Sequence, residues 1–373
     1  MSTSGSRVIV GLSGGVDSAV AALLLREQSF DVHGLFMSNW DGDEDDDDSY
    51  CTSAADFQDA RAVARELGIP LHRVSFAAEY RERVFDYFLA EQRAGRTPNP
   101  DVLCNREIKF GVCLRYAERL GGKLFATGHY ARLAHTPAGP ELLKARDRAK
   151  DQSYFLHAVE REHLAHVLMP VGELEKPEVR KLARRAGLPV FDKPDSTGIC
   201  FIGERPFRDF LARFMRDEPG PIETPEGERL GMHRGLAFYT LGQREGLMIG
   251  GRSGHDEAPW YVAVKDSARN TLVVVQGHDH ALLSSRALIT GPFHWLAETS
   301  ASGIRCTVKV RYRQADQLAT LQPLPDGTSS IEFDTPQRAV TPGQYAVIYD
   351  GDRCLGGAVI ERTFPATASR VAA

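Results

Sequence analysis

The first part of the chain alternates short apolar runs with segments of helical periodicity. The runs that predict strands are 7–11, 30–37, 71–76 and 123–127. The segments that predict helices are 19–27, 54–67, 78–93, 105–120 and 178–186. Within 54–67, the apolar face consists of Ala60, Val63, Ala64 and Leu67. This alternation predicts an α/β domain whose parallel sheet is covered by helices on both faces.

Beyond about residue 205 the pattern changes to short β-rich runs separated by Gly, Pro, Asn and Asp turns. These runs are 260–265, 271–276, 305–313, 330–333 and 345–349. We therefore predict three domains: an N-terminal α/β domain over 1–205, a small β-rich central domain over 206–280, and a C-terminal β-barrel domain over 281–373. A sandwich is the alternative to the barrel.

Composition is that of an ordinary globular protein of 373 residues, with 42% hydrophobic and 25% charged residues. No apolar run approaches the roughly 18 residues of a membrane span, and the start MSTSGSRVIVG does not resemble a signal peptide. We expect a cytoplasmic protein without a membrane partner. The six cysteines include no CxxC pair, so neither a disulfide framework nor a zinc site is predicted, and we assign no metal ligands.

Charge is distributed unevenly. The net charge is −5, but seven acidic residues lie within the eight positions 41–48, a run typical of a solvated loop. The rest of the chain is roughly neutral, so a local basic patch is better evidence for an anionic partner than the net charge suggests.

A glycine-rich turn follows the first predicted strand and precedes the first helix. It reads GLSGGVDS and comprises Gly11, Leu12, Ser13, Gly14, Gly15, Val16, Asp17 and Ser18. Its backbone N–H groups and the helix N-terminus suit an oxyanion. The lysine of a Walker A motif is absent, which favours a site that holds pyrophosphate as a leaving group. We predict ATP as the ligand, with Mg²⁺ within reach of Asp17.

At this motif the chain resembles the PP-loop ATP pyrophosphatases, which adenylate an oxygen of their substrate. The resemblance implies the activation step and leaves the acceptor open.

Two cysteines bear on the acceptor. Cys104 lies in TPNPDVLCN and Cys200 in DSTGICFIG, and we expect both on Gly/Pro-punctuated loops at the carboxyl ends of the strands. Two thiols at such a place suit sulfur transfer through a persulfide and a disulfide. We expect Cys113, Cys306 and Cys354 to be buried and to serve as small apolar side chains of the core. Cys51 lies at the end of the acidic loop.

Seven blocks now resemble the tRNA-specific 2-thiouridylase family (MnmA type) in order along nearly the full chain: GLSGGVDS, GLFMSNW, TPNPDVLCN, ATGHYAR, KDQSYFL, STGICFIG and RYR. The resemblance implies an adenine nucleotide alpha-hydrolase-like first domain. It also implies that ATP adenylates O2 of the wobble uridine of tRNA. A persulfide on Cys200 then supplies sulfur, Cys104 resolves it, and a Cys104–Cys200 disulfide remains. The partners implied are tRNA and a persulfide-donating sulfur carrier or cysteine desulfurase.

The same resemblance assigns further residues. Asn99, Pro100 and Asp101 would face the target base, with Asp101 as acid or base. Met37 and Gly128 would contact adenosine. The remaining positions that would contact tRNA are His129, Lys150, Asp151, Gln152, Arg311, Tyr312 and Gln344.

Two basic surfaces follow from periodicity. With a period of two, one strand face carries Arg305, Thr307, Lys309, Arg311 and Arg313 without an acid, which predicts a phosphate-binding strip. The helix over 178–186 carries Arg180, Lys181, Arg184 and Arg185. A merely solvated surface is the alternative for both.

Three other functions remain open. A small-molecule amide synthetase would keep the ATP site but would not need two loop cysteines. An iron–sulfur-dependent tRNA thiolase would use Asp101, Cys104 and Cys200 as cluster ligands. A non-catalytic RNA-binding protein is disfavoured by the intact SGGVDS.

Overall fold

The computed structural model describes residues 5–40, 52–195, 207–250, 254, 256–298 and 303–366. The chain divides into two compact units. The first is drawn from Met1–Asp86, Pro100–Arg205 and Gly351–Leu355, and the second from Tyr87–Asn99, Pro206–Asp350 and Gly356–Ala373. The division into three domains stays a prediction.

The first unit contains a parallel sheet, as predicted. Its strands are β1 (Arg7–Gly11), β2 (Asp31–Ser38), β3 (Leu71–Ser75), β4 (Leu124–Ala126) and β7 (Val167–Leu168). They lie in the order β3-β2-β1-β4-β7, and each neighbouring pair is parallel. An antiparallel hairpin outside this sheet consists of β5 (Ala131–Thr136) and β6 (Gly139–Lys144), and Leu143 of β6 pairs with Arg353.

Helices lie between these strands in the chain, and one more follows the last strand. They are α1 (Val16–Glu27), α2 (Thr52–Leu67), α3 (Ala77–Tyr80), α4 (Asp86–Arg93), α5 (Pro100–Leu103), α6 (Cys113–Arg119), α7 (Ser153–Leu156), α8 (Arg161–Leu164) and α9 (Lys176–Arg185). Two π-helical segments, Arg81–Phe85 and Cys104–Val112, make α3–α4 and α5–α6 continuous. The predicted helix over 105–120 therefore begins earlier, at Pro100, because proline is well accommodated in a first helical turn.

Side chains of β1 alternate between two covered faces. Val8 and Val10 belong to the core formed with α1, α2 and α9, in which the predicted apolar face of α2 is fully buried. Ile9 and Phe125 are neighbours on the opposite face, where the ring of Phe110 lies 6.1 Å from that of Phe125. Both faces of the sheet are thus covered at β1, as the alternation of predicted strands and helices implies.

The second unit is β-rich. One four-stranded sheet has the order β10-β11-β8-β9, and its strands are β8 (Gly220–Glu223), β9 (Arg229–His233), β10 (Trp260–Asp266) and β11 (Thr271–Gln276). Helix α10 (Phe207–Ala212) precedes it, and 3₁₀ turns lie at Leu236–Phe238 and Ala281–Leu283.

The C-terminal strands close on themselves. They are β12 (Ser284–Thr290), β13 (His294–Trp295), β14 (Ile304–Lys309), β15 (Gln317–Pro323), β16 (Ser329–Arg338), β17 (Tyr345–Asp350) and β18 (Arg353–Pro365). The order β12-β16-β15-β14-β17-β18 is completed by pairing of β12 with β18. The barrel is therefore confirmed, and the sandwich alternative is wrong.

The predicted strand over 305–313 is too long. Strand β14 ends at Lys309, and the chain turns because Val310 donates its N–H to the Gln314 side chain and Gln314 donates its N–H to the Arg311 carbonyl. In the described part of the chain no helix has the length and apolar content that crossing a membrane requires.

Candidate functional site

The turn between β1 and α1 has the geometry that the GLSGGVDS motif predicts. Gly14 adopts φ +78°, and a Cβ there would lie 2.4 Å from the Asp56 carbonyl oxygen. Ser18 Oγ accepts from the Ser13 N–H at 3.2 Å and donates to the Gly15 carbonyl at 3.0 Å. Gly15 is the N-cap of α1, and no side chain caps the helix. The turn therefore presents backbone N–H groups and a helix N-terminus to an anion.

Asp17, in the first turn of α1, is held by two side chains that come from distant parts of the first unit. The Tyr130 hydroxyl donates to Asp17 Oδ1 at 2.8 Å. Lys176 Nζ lies 2.7 Å from Oδ1 and 2.8 Å from Oδ2. Burial, and then the charge of Asp17, raises the pKa of Tyr130 well above its ordinary value, so the hydroxyl remains a donor.

Asp195 is the second carboxylate of this cluster. It accepts from Lys150 at 2.6 Å, Lys176 at 2.7 Å and Arg180 at 3.0 Å. Burial opposes ionisation, but the hydrogen bonds and charges of Lys150 and Lys176 outweigh it and lower the pKa of Asp195 to about 2. Asp195 is therefore ionised at neutral pH.

Lys193 ties the turn to α2. Its ammonium donates to the Gly14 carbonyl at 3.2 Å and to Asp56 Oδ1 at 2.7 Å, and it also pairs with Asp59. Burial lowers the pKa of Lys193, but the bonds to Asp56 and Asp59 raise it above its ordinary value. Through these contacts Lys193 joins the Gly14 carbonyl to the side chains of Asp56 and Asp59 on α2.

Cys104 does not lie on a loop, and that expectation is wrong. It is the first residue of the π-helical segment after α5, and it is fully buried. Two prolines suggested an irregular chain, but Pro100 opens a helix instead. Asp101 is half-buried in the first turn of α5, and its carbonyl accepts from Asn105 Nδ2 at 3.0 Å.

The residues just before Asn99 are fixed within the second unit. Thr97 donates its N–H to the Pro342 carbonyl at 2.9 Å, and Gln344 Nε2 donates to the Thr97 carbonyl at 2.8 Å. The amide of Gln344, expected to contact tRNA, is thus engaged in holding the segment that leads into Asn99 and Pro100.

Three more of the residues expected to contact tRNA hold the fold around Tyr130. His129 is buried, its Nδ1 lies 2.8 Å from Thr127 Oγ1, and burial places its pKa well below the ordinary value. Asp151 accepts from the N–H of Ala145 at 2.9 Å and from the Ser153 hydroxyl at 2.9 Å. Gln152 Oε1 accepts the Tyr130 N–H at 2.9 Å. His129 therefore carries no positive charge at neutral pH.

The contacts of Met37 and Gly128 with adenosine stay a prediction, and the structure gives the position of each residue. Met37 is half-buried near the carboxyl end of β2. Gly128 follows β4, and a Cβ there would lie 2.5 Å from the Ser18 backbone nitrogen. Only glycine allows the chain to pass so close to the first turn of α1.

The predicted strip differs from the structure in two respects, and phosphate binding by it stays a prediction. Arg305 pairs with Asp334, and Lys309 lies 3.8 Å from Asp316, so acidic side chains from outside β14 pair with two of its cations. Arg311 lies beyond β14, where Nη2 donates to the carbonyls of Leu241 and Ala339 at 2.9 and 2.8 Å. Tyr312 follows it in the turn, half-buried.

On α9, the predicted basic surface is present in part: Lys181, Arg184 and Arg185 are exposed, whereas Arg180 pairs with Asp195. Cys113, Cys306 and Cys354 are buried, as expected. Burial raises the pKa of Cys113 to about 12 and that of Cys306 to about 11. Cys200, Cys51 and the acidic run lie outside the described residues.

Sequence reasoning missed Tyr130, Lys176, Asp195, Lys193 and Asn39. Tyr130, Asp195 and Asn39 lie in the quoted blocks ATGHYAR, DSTGICFIG and GLFMSNW, so their polar side chains were a usable signal. Tyr130 donates to Asp17, and Asp195 accepts from three cations. Asn39 donates from Nδ2 to the Cys104 sulfur. Lys176 and Lys193 carried none, because a lysine at a helix start or in a loop is usually solvated.

Comparisons with known proteins cover most of the chain. Family models match residues 6–204 (tRNA methyl transferase HUP domain), 208–276 (tRNA methyl transferase PRC-barrel domain) and 285–360 (aminomethyltransferase beta-barrel domain). The chain is 57% identical to the tRNA-specific 2-thiouridylase MnmA of Chromohalobacter salexigens, over 97% of this chain and 94% of that protein. It is 55% identical to that of Vibrio cholerae, over 95% and 96%. It is 56% identical to that of Marinobacter nauticus, over 96% and 92%.

Proposed function

This chain belongs to the tRNA-specific 2-thiouridylase (MnmA) family, and from that membership we propose that it is a tRNA-uridine 2-sulfurtransferase acting in the cytoplasm. Its substrates are ATP, the wobble uridine of tRNA and a protein persulfide. Its products are 2-thiouridine, AMP and pyrophosphate. The observation that carries the proposal is the phosphate turn Gly11–Ser18, with its uncapped helix N-terminus, within a chain similar to these relatives over nearly its full length.

Activation is the first step. O2 of the uridine attacks the α-phosphorus of ATP, the bond from that phosphorus to the bridging oxygen breaks, and pyrophosphate leaves. The turn binds the phosphates through backbone N–H groups. Asp17 fits Mg²⁺, which is usually held by one or two carboxylates together with substrate phosphates. When bound, Mg²⁺ would neutralise phosphate charge.

Sulfur transfer is the second step. The terminal sulfur of a persulfide on Cys200 attacks C2, and AMP leaves with the former O2. Cys104 then attacks the Cys200 sulfur, which breaks the persulfide bond and leaves sulfur on C2. Two thiols are oxidised to a disulfide as the persulfide sulfur is reduced, so an external reductant must restore the enzyme. Asp101, Asn99 and Pro100 precede Cys104 in the chain and would face the base.

The assay is mass spectrometry of nucleosides from tRNA incubated with the protein, ATP, Mg²⁺ and a persulfide donor. We expect 2-thiouridine at the wobble position and pyrophosphate released in equal amount. Pyrophosphate formed with a small-molecule amine or amide acceptor, with no thiolated nucleoside, would favour the amide synthetase instead.

Variants of the two cysteines test their roles. Cys104→Ser should carry a 32-dalton sulfur adduct on Cys200 and form no 2-thiouridine, whereas Cys200→Ser should still release pyrophosphate but accept no sulfur. An adduct on Cys104 in Cys200→Ser would reverse the roles. Iron and acid-labile sulfide in anaerobically purified protein, with no adduct in either variant, would replace the persulfide scheme by a cluster on Asp101, Cys104 and Cys200.

A further inference from the structure

A lysine reaches the phosphate turn from outside the motif. Lys176 is the first residue of α9, and its side chain is only 10% exposed. Its ammonium contacts both oxygens of Asp17, 159 positions away in the chain. The motif itself has no lysine, so Lys176 supplies the cation that a Walker A turn carries locally.

The backbone around Lys176 is fixed. Its N–H donates to Asp147 Oδ2 at 3.0 Å, and Glu175 and Glu178 form a capping box at the start of α9. Only the side chain can therefore respond to a ligand while the helix stays in place.

The ion pairs around Lys176 can accommodate an incoming anion. Three cations, Lys150, Lys176 and Arg180, share the side chains of two carboxylates, Asp17 and Asp195. Asp147, which accepts the backbone N–H of Lys176, balances the third cation, so the cluster is neutral before a polyanion binds and holds a cation that can pair with it. Asp195 has two other cationic partners, and Asp17 has the Tyr130 hydroxyl. Neither carboxylate would be left without a hydrogen-bond donor if Lys176 turned away.

We propose that Lys176 is a phosphate-binding residue of the reaction: it holds Asp17 when nucleotide is absent and turns to the triphosphate when ATP is bound. In that position it neutralises charge on the departing pyrophosphate. Lysine suits this task because its ammonium is a compact point charge on a flexible stem. This inference rests on the proposed function, since it concerns the same ATP site.

The test compares the affinities of the full-length protein for ATP and for adenosine. In Lys176→Gln we expect ATP to bind about tenfold more weakly or worse, because a charge-assisted contact is lost. Adenosine, which has no phosphate, should bind as it does to the unmodified protein. The tRNA-dependent release of pyrophosphate should fall by at least the same factor.

Lys181→Gln is the matched control. It removes one positive charge from the same helix at an exposed position, outside the cluster that holds Asp17 and Asp195. The ratio of the ATP to the adenosine dissociation constant should therefore change less than about twofold. An equal loss in both variants would mean that general electrostatics, not a contact from Lys176, controls ATP binding.

A purely structural role is also distinguishable. If Lys176→Gln weakens ATP and adenosine in the same proportion, the inference is overturned. If that variant does not fold, the double variant Lys176→Gln/Asp195→Asn removes two opposite charges together and should show the same ATP-selective loss. Unmodified protein that releases no pyrophosphate with tRNA would contradict the proposed function itself. Unmodified protein that does so, with an unchanged affinity ratio in Lys176→Gln, would contradict only this inference.

Discussion

The side-chain amide of Asn39 donates from Nδ2 to the sulfur of Cys104 across 3.8 Å. Asn39 directly follows β2, whereas Cys104 opens the π-helical segment, so two separate elements place an N–H donor beside the proposed nucleophile. Such a donor stabilises a thiolate more than a thiol.

Replacing Asn39 should therefore affect sulfur release. In Asn39→Ala we expect the formation of 2-thiouridine from persulfide-loaded enzyme to slow by about tenfold, since a hydrogen bond to a charged group is lost. Pyrophosphate release should be unchanged. Ser38→Ala, which removes a hydroxyl bonded to the Trp40 carbonyl, is the control. Equal slowing of both steps in single-turnover measurements would rule out a specific effect on Cys104.

Gly343 lies against the segment that leads to the proposed catalytic residues. It adopts φ +93°, and a Cβ there would meet the Thr97 nitrogen at 2.8 Å. Gly327 has a similar φ of +84° with no atom within 4 Å of such a Cβ, so it is a matched control. We expect Gly327→Ala to cost about 1 kcal/mol of unfolding free energy and Gly343→Ala distinctly more.

Only Gly343→Ala should also slow thiolation, because Thr97 and Pro98 lead directly to Asn99. Urea unfolding and the thiolation assay, run on both variants, check this pair. The same losses at both positions would mean that the contact with Thr97 contributes nothing.

Arg311 should contribute to the stability of the fold, whereas Arg313 should not. Arg311 bonds to two carbonyls and to Thr341 Oγ1, so Arg311→Ala should lower the unfolding free energy by about 2 kcal/mol. Arg313 is exposed, and Arg313→Ala should leave stability within about 0.5 kcal/mol. If this surface binds tRNA phosphate, Arg313→Ala should also reduce the salt slope of tRNA binding by about one. A salt slope reduced by Arg311→Ala without loss of stability would restore the original phosphate-strip interpretation.

Stability should fall as the pH drops below neutrality because of a histidine pair. His33 Nδ1 and His72 Nε2 lie 3.1 Å apart, an arrangement that needs one neutral ring as acceptor. Burial, and then the charge of His33, lowers the pKa of His72. The folded protein thus binds fewer protons than the unfolded chain. The contribution of the histidine pair to the unfolding free energy is therefore present above the ordinary histidine pKa of about 6.5 and is lost below it.

The measurement is the unfolding free energy between pH 7.5 and pH 5 (roughly the range in which histidine titrates). His72→Gln should flatten its pH dependence, whereas His135→Gln, at an exposed site, should not. A slope that stays the same without His72 would show that the pair does not control acid stability.

Local patterns determined much of this molecule. The apolar runs and helical periodicities identified β1 to β4, α1, α2 and α9, because a period of two or of 3.6 follows from backbone geometry alone. The turn GLSGGVDS predicted a phosphate site from local sequence as well, because glycine readily adopts the left-handed conformation that Gly14 has in the structure. Pro100 was misleading because a proline can end a loop or begin a helix. The strand predicted over 305–313 was too long because β14 ends at Lys309, where Val310 bonds to Gln314.

What only the tertiary structure decided is which distant side chains meet. Asp17 contacts Tyr130 and Lys176 at separations of 113 and 159 positions, and no periodicity encodes such pairs. The same holds for Arg311, whose charge suggested phosphate but whose guanidinium is satisfied by carbonyls of Leu241 and Ala339. The sequence does not distinguish a charged side chain that faces solvent from one that donates to a carbonyl. Its role is decided by the partners that folding brings within hydrogen-bond distance, and those depend on the packing of the whole unit.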